Sequence, residues 1–274
     1  MIATQVVSQL DVSAASGLVL RDGIFHVVAD DENWLFLFGP NGAARRIVLL
    51  PDELPAKKAA RKARKSDFEI LVDLPGQGLL AMGSGSRLSR ERAVVVDRDE
   101  RVAVIDTSAL CAQLRHTFAE LNLEGGVVVD DEFALLQRGN RGDRRNALVF
   151  VAMQDLQKAL TLQRFAVARP PRIVDLDLGM EGHVPWSCTD VTRLDDGDLL
   201  ACAVLEDTRD AYRDGACLGS ALARIAPDGA LRWLRRLDTP SKVEGVAVEG
   251  NTVWLVSDAD DRAVPAQLLR ATLP

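Results

Sequence analysis

The sequence predicts an all-β protein, a five-bladed β-propeller, on three observations. A unit made of a polar opening residue, a short apolar strand, a turn and a second apolar strand occurs five times. The units open at Ser16, Glu69, Glu124, Asp190 and Glu244, between 53 and 66 residues apart. A period near fifty with several strands per unit is what propeller blades produce. The last unit has room for only three strands, while an alternating segment at 4–10 stands ahead of the first. That segment is expected to supply the missing strand and close the ring, because closure removes exposed strand edges. A six-bladed ring is the alternative; its extra blade would have to lie in the 66-residue interval, where no further copy is found.

Taken in order, each unit carries its own turn chemistry. The first strands, at 16–20, 69–72, 124–128, 190–193 and 243–248, end at Arg21-Asp22-Gly23, Pro75-Gly76-Gln77-Gly78, Asp130-Asp131-Glu132, Asp195-Asp196-Gly197 and Glu249-Gly250-Asn251. Gly, Asn and Asp at these places favour tight hairpins. Second strands follow at 24–29, 79–82, 133–136, 199–204 and 253–257, and blade one continues at 35–38 and 45–50 with Gly39-Pro40-Asn41-Gly42 as its turn. Short connecting helices are expected at 106–118 and 153–165, the second filling much of the long interval. The stretch 51–66 holds six Lys and Arg residues among alanines. It reads as a solvated helix or loop, or as a basic rim that attracts anions. Gly83-Ser84-Gly85-Ser86-Arg87 reads as a turn; no Lys-Ser/Thr pair follows it, which excludes a P-loop.

Composition limits the function classes. A net charge of −7 argues against a nucleic-acid partner. No apolar run is long enough to span a bilayer, so no membrane partner is expected. The four cysteines, Cys111, Cys188, Cys202 and Cys217, form no close pair, and the first residues lack a basic-then-apolar leader pattern. The expectation is one soluble domain over 1–274, reduced and cytoplasmic.

Chemistry is expected at the mouth of the central channel. The innermost strand of a blade starts beside the channel, and the loop after the second strand returns to the same face. This brings together Ser16, Glu69, Glu124, Asp190 and Glu244, ringed by loop residues such as Asp30, Arg138 and Asp258, with Lys242 at the start of the last unit. Four carboxylates on one axis repel unless something positive compensates. One solution is a hard dication held by Glu69, Glu124, Asp190 and Glu244. Calcium suits an all-oxygen donor set, whereas the His and Cys positions do not have zinc spacing. The other is salt bridging by Lys65, Arg138 and Lys242, with water in the channel. A small-molecule ligand is expected around Ser16, Asp30, Arg138, Lys242 and Asp258. No GxSxG or HExxH motif occurs, and His183, in the loop entering blade four, is the candidate general base. His26 and His116 read as structural.

The stretches Ala15-Ser16-Gly17-Leu18 with Ala29-Asp30-Asp31-Glu32, Asp67-Phe68-Glu69 with Gly83-Ser84-Gly85-Ser86-Arg87, and Lys242-Val243-Glu244-Gly245 with Val256-Ser257-Asp258-Ala259-Asp260-Asp261 resemble a bacterial family of uncharacterised propellers. That family groups with the SdiA-regulated proteins and the phytase-related esterase-like domains. A more distant similarity is to the gluconolactonase and paraoxonase propellers, and it implies calcium at the channel mouth. Two functions follow: a binding module for a cation or small molecule, or a metal-dependent hydrolase of an ester, lactone or phosphoester.

Overall fold

Alternating apolar residues and tight turns fold this chain into five antiparallel sheets around a central channel. The computed structural model describes residues 1–39, 44–140, 142–207 and 215–274. Blade one is β2 (Ala15–Arg21), β3 (Ile24–Ala29), β4 (Trp34–Phe38) and β5 (Ala44–Val48), which follow β1 (Thr4–Gln9). The short helix α1 (Lys58–Arg64) leads to blade two, built from β6 (Phe68–Leu74), β7 (Gly78–Gly83), β8 (Arg92–Val96) and β9 (Val102–Asp106). After α2 (Ser108–Leu114), blade three holds β10 (Leu123–Val129), β11 (Glu132–Gln137), β12 (Asn146–Ala152), the helix α3 (Met153–Leu162) and β13 (Arg172–Leu176). Blade four adds a small extra strand, β14 (Met180–Glu181), to β15 (Val184–Arg193), β16 (Leu199–Glu206), β17 (Cys217–Ile225) and β18 (Leu231–Arg236). Blade five holds β19 (Lys242–Glu249), β20 (Thr252–Asp258) and β21 (Gln267–Thr272).

The fourth strand of blade five is β1, paired antiparallel with β21 from Thr4↔Ala271 to Gln9↔Gln267. The N-terminus is also tied to blade four, where the Ile2 amide donates to the Arg236 carbonyl at 2.7 Å and the Asp238 amide donates back to Ile2 at 3.0 Å. The closing strand therefore holds two blades together. Among the described residues there are five sheets and no sixth. The long interval is taken up by α3, by β14 and by the ten-residue β15. Asp22 and Gly23 both have positive φ, as the mirror-image hairpin turn requires. The turn expected at Pro40-Asn41-Gly42 lies outside the described residues.

The core is five layers, each between neighbouring blades. Phe68, Leu71 and Leu79 of blade two meet Val28 and Leu35 of blade one. Between blades two and three, Phe118 and Phe165 from the connectors join Met82, Phe133 and Leu135, with Leu110, Leu114 and Leu156 of α2 and α3 docked on top. Each such fully buried side chain is worth about 1.5–3 kcal/mol relative to exposure. Because both faces of every sheet are covered, strands such as β16, LLACAVLE, are buried at each position and show no alternation. The inner strands β2, β6, β10, β15 and β19 contact one another in a closed ring. That ring sets the channel.

Candidate functional site at the channel mouth

Every inner strand slips register by one residue, near its start in four blades and at the sixth residue of β15 in blade four. The shifts fall at Ser16, Glu69, Glu124, Thr189 and Glu244, each an extra residue opposite the second strand. A bulge of this kind re-aims the extra side chain. Here it turns Ser16, Glu69, Glu124 and Glu244 into the mouth, where they line a cavity of about 70 Å³. In blade four the equivalent residue is Thr189, one before Asp190. Thr189 behaves as Ser16 does: each hydroxyl donates to a carbonyl of the next inner strand, Ser16 Oγ to Phe68 at 2.6 Å and Thr189 Oγ1 to Val243 at 2.9 Å. These two hooks join blade one to two and blade four to five.

Asp190 is consequently placed apart from the mouth carboxylates. It occupies the register position filled by Gly17, Gly125 and Gly245 in other blades. A Cβ on Gly125 would lie 3.0 Å from Asp190 Cα and 3.1 Å from Oδ1, so glycine there makes room for the aspartate. Its Oδ1 accepts the Val191 amide at 2.8 Å, and its Oδ2 accepts the Val246 amide of β19 at 2.8 Å. Burial pushes its pKa well up, against the pull of these amides and that of Leu18.

The mouth divides into two ion clusters. In the first, Lys65 pairs with Asp30 and, at 2.8 Å, with Asp67, while Arg90 pairs with Asp67 at 2.6 Å. Ser84 Oγ donates to the same carboxylate at 2.5 Å. In the second, Arg138 pairs with Glu206, lies 3.3 Å from Glu124 and 3.8 Å from Glu244, and Lys242 lies 2.9 Å from Glu244 and 3.4 Å from Asp260. Asn122 donates to Glu124 at 2.5 Å. Glu69 stands between the clusters, and among the described residues no hydrogen bond or ion pair reaches it. Glu244 is 4 % exposed, yet neither oxygen has a hydrogen-bond partner, since Lys242 approaches off the hydrogen-bonding direction.

The electrostatics follow from crowding. Burial and the neighbouring charges of Glu124, Asp67 and Asp30 push Glu69 well above the carboxylate range, and burial also raises Asp30 and Asp258. Asp67 goes the other way, because Lys65 and Arg90 outweigh its burial. Glu124 is raised to about 7, chiefly by burial, with Arg138 opposing and Glu244 adding to the rise. A carboxyl whose folded pKa exceeds its unfolded one stabilises the fold below the unfolded value, and this is lost as pH rises through the folded value. The Glu124 contribution is therefore lost between about pH 4.5 and pH 7. Glu124→Gln is expected to flatten the fall in melting temperature over this window, by an amount equivalent to about 3 kcal/mol at most. Identical slopes in parent and variant would refute that assignment.

Of the remaining expected residues, Asp30, Arg138, Lys242 and Asp258 line the cavity with Ser16. His183 does not; its side chain is 71 % exposed, with Nε2 3.7 Å from Asp207. The basic run is not merely a solvated connector. Arg61 of α1 is buried and donates to the carbonyls of Pro55 at 3.0 Å and Asp31 at 2.5 Å, and Lys65 is buried between two aspartates. The Gly83–Arg87 turn spends its polar atoms internally, Ser86 Oγ on Arg90 and the Gly85 carbonyl on Arg115. Arg90 and Asn122 were not singled out by sequence, although Arg90 lies in the same loop of its blade as Arg138 does in blade three.

A five-bladed β-propeller with a charged channel mouth is the class that fold and site define. The chain belongs to DUF6929, a family of unknown function, which it matches over residues 11–273. No curated protein matches the sequence. Among solved structures, a candidate glycoside hydrolase from Parabacteroides distasonis is 7% identical with a TM-score of 0.54, over 97% of this chain and 88% of that one. A candidate gluconolactonase is 9% identical with a TM-score of 0.51, over 99% and 92%. Virginiamycin B lyase from Staphylococcus aureus is 10% identical with a TM-score of 0.47, over 99% of both chains. At these identities the likeness is one of fold. No helix among the described residues is long and apolar enough to cross a membrane.

Proposed function

We propose that this protein is a binding module whose channel mouth takes a cation. The observation that carries this reading is the charge balance of the cavity: among the described residues, eight carboxyl side chains and five cationic ones line it. Lys65, Arg138 and Lys242 neutralise much of the ring, and Glu69 and Glu244 keep oxygens without hydrogen bonds. Calcium fits the donor chemistry. Oxygens of Asp30, Asp67 and Glu69 lie within 4.8 Å of one another, and calcium accepts six to eight hard oxygen ligands in flexible geometry. Lys65 stands against two of the three, so a bound ion displaces its ammonium toward the mouth, and Glu69 gives up its proton.

The test is calcium titration calorimetry on chelator-stripped protein, with thermal melts. Expected are saturable binding, tighter at pH 8 than at pH 6 because Glu69 must ionise, and a raised melting temperature with excess calcium. In Glu69→Gln the affinity falls at least tenfold while the apo protein melts no lower. An absence of heat and of any thermal shift with calcium, magnesium or manganese would defeat this reading.

Glu124 favours a second reading, hydrolysis. It is raised to about 7 beside a cavity large enough for about two waters, which suits a general base at neutral pH. Turnover of p-nitrophenyl acetate, p-nitrophenyl phosphate or glucono-δ-lactone that disappears in Glu124→Gln would support it. Equal background rates in both proteins would remove it.

A further inference from the structure

We infer that Lys65 is a tethered competitor at the cation site: its ammonium and the ion are alternative occupants of the same oxygens, and only a dication displaces it. The inference rests on the cation reading of the mouth and names the residue that sets its selectivity. Lys65 Nζ pairs with Asp30 and lies 2.8 Å from Asp67 Oδ1. These two carboxylates and Glu69 are the three whose oxygens come within 4.8 Å of one another. Calcium needs its oxygens at about 2.3–2.6 Å, so ion and ammonium cannot share them.

Three features fit Lys65 for this role. First, its departure leaves the frame of the site in place. Asp67 gives Oδ1 to Lys65, while its Oδ2 accepts from Arg90 at 2.6 Å and from Ser84 at 2.5 Å, so one oxygen changes its occupant and the other stays held. Second, the backbone of the tether is fixed and the side chain alone has to move. Lys65 closes α1, its amide donating to the Arg61 carbonyl at 2.7 Å, and the Arg61 side chain donates to the carbonyls of Pro55 and Asp31. The ammonium itself rides on a flexible four-carbon stem. Third, there is room for it to retreat. Lys65, Asp30 and Asp258 line both the mouth and an adjoining cavity of about 460 Å³, so a displaced ammonium moves outward and stays among carboxylates.

Charge decides which ions succeed. Burial works against the Lys65 charge, but Asp67, Asp30 and Glu69 outweigh it, so the resident group is an ammonium. Sodium or potassium would exchange one unit charge for another, with no Coulomb gain. It would also forfeit contacts that an anchored side chain makes without the entropy cost of association. A dication brings a second charge, and Glu69, which no ion pair reaches among the described residues, offers it an oxygen that the ammonium leaves unused. The same competition weakens calcium binding, because part of the binding energy goes into displacing Lys65.

The experiment is calcium titration calorimetry on chelator-stripped parent and Lys65→Gln, in choline chloride and again in potassium chloride at equal ionic strength. Expected is calcium binding at least tenfold tighter in Lys65→Gln, although its apo form melts lower, and a loss of affinity in potassium at least threefold greater in the variant than in the parent. A lysine of purely structural importance would lower stability and affinity together. Amidination of the parent with methyl acetimidate, mapped by mass spectrometry, should modify Lys65 at least tenfold faster in saturating calcium than in EDTA, since the paired side chain is 8% exposed. If the variant does not fold, this labelling decides, and an unchanged rate overturns the inference. A smaller gain in calcium affinity, or an equal potassium effect in both proteins, would also overturn it and leave the cation reading standing. Calcium binding by Lys65→Gln and not by the parent would uphold the inference and defeat that reading for the parent. No binding by either defeats both.

Discussion

Arg138→Met is expected to destabilise the protein by about 3–5 kcal/mol, the usual cost of removing one partner from a buried ion cluster. The guanidinium is 11% exposed and faces three carboxylates, Glu124, Glu206 and Glu244, each 4–5% exposed in its side chain. Methionine preserves bulk but leaves Lys242 as the remaining cation against them. Glu206 shows the dependence. Burial pushes it up, and Arg138 and Lys242 pull it below the usual range, so without Arg138 it must take up a proton or stay charged in an apolar site. A loss of this size lowers the melting temperature by about 10 °C in a chain of this length. The loss should shrink at pH 5, where the carboxylates protonate, and adding Glu124→Gln and Glu244→Gln should restore part of it. A single variant within 1 kcal/mol of the parent at pH 8 would mean that the cluster is solvated and not structural.

Asp190→Ala is expected to cost about 2–6 kcal/mol, because it strands at least two buried amide donors at about 1–3 kcal/mol each. Val191 lies in the same strand, but Val246 belongs to β19, so the carboxylate joins two blades directly. The alanine also leaves a void where Gly125 had made room. The outcome separates two roles. If Asp190 is a clamp between blades four and five, apo stability drops and calcium affinity at the mouth changes less than threefold. Unchanged apo stability with calcium affinity abolished would instead make it a ligand, and the register described above would be wrong. Glu69→Gln gives the opposite pattern, so the two variants control for each other.

Much of the architecture is local and could be read from the chain. Each blade announces itself by a turn containing Gly or Asp, because tight turns need residues that tolerate positive φ, as Asp22 with Gly23, Gly76, Asp130, Gly197 and Gly250 do. The closing strand was legible from bookkeeping: the last unit lacked a strand, and β1 is the one that pairs with β21. The mouth positions Ser16, Glu69, Glu124 and Glu244 followed from topology alone, since an inner strand begins at the channel whatever its loops do.

What the chain could not settle by itself was decided by long-range packing. In blade four two polar residues, Thr189 and Asp190, compete for the opening position, and a one-residue slip moves a side chain from one environment to another. The bulge that chooses Thr189 is set by pairing with β16 and by the hydroxyl's reach to Val243, neither of which leaves a local mark. The same holds for charge. Salt bridging by Lys65, Arg138 and Lys242 is expected from the sequence while Arg90 looks like any surface cation there, and only the closed ring brings Lys65, Arg138 and Lys242 within ion-pair distance of acids from other blades. Arg61 and Lys65 sit in a run that composition reads as solvated, yet the fold places two of its residues under the loop after β3. Sequence thus determined where the mouth lies, and tertiary structure determined which of its charges are already satisfied, because Coulomb partners are chosen by distance in space and not along the chain.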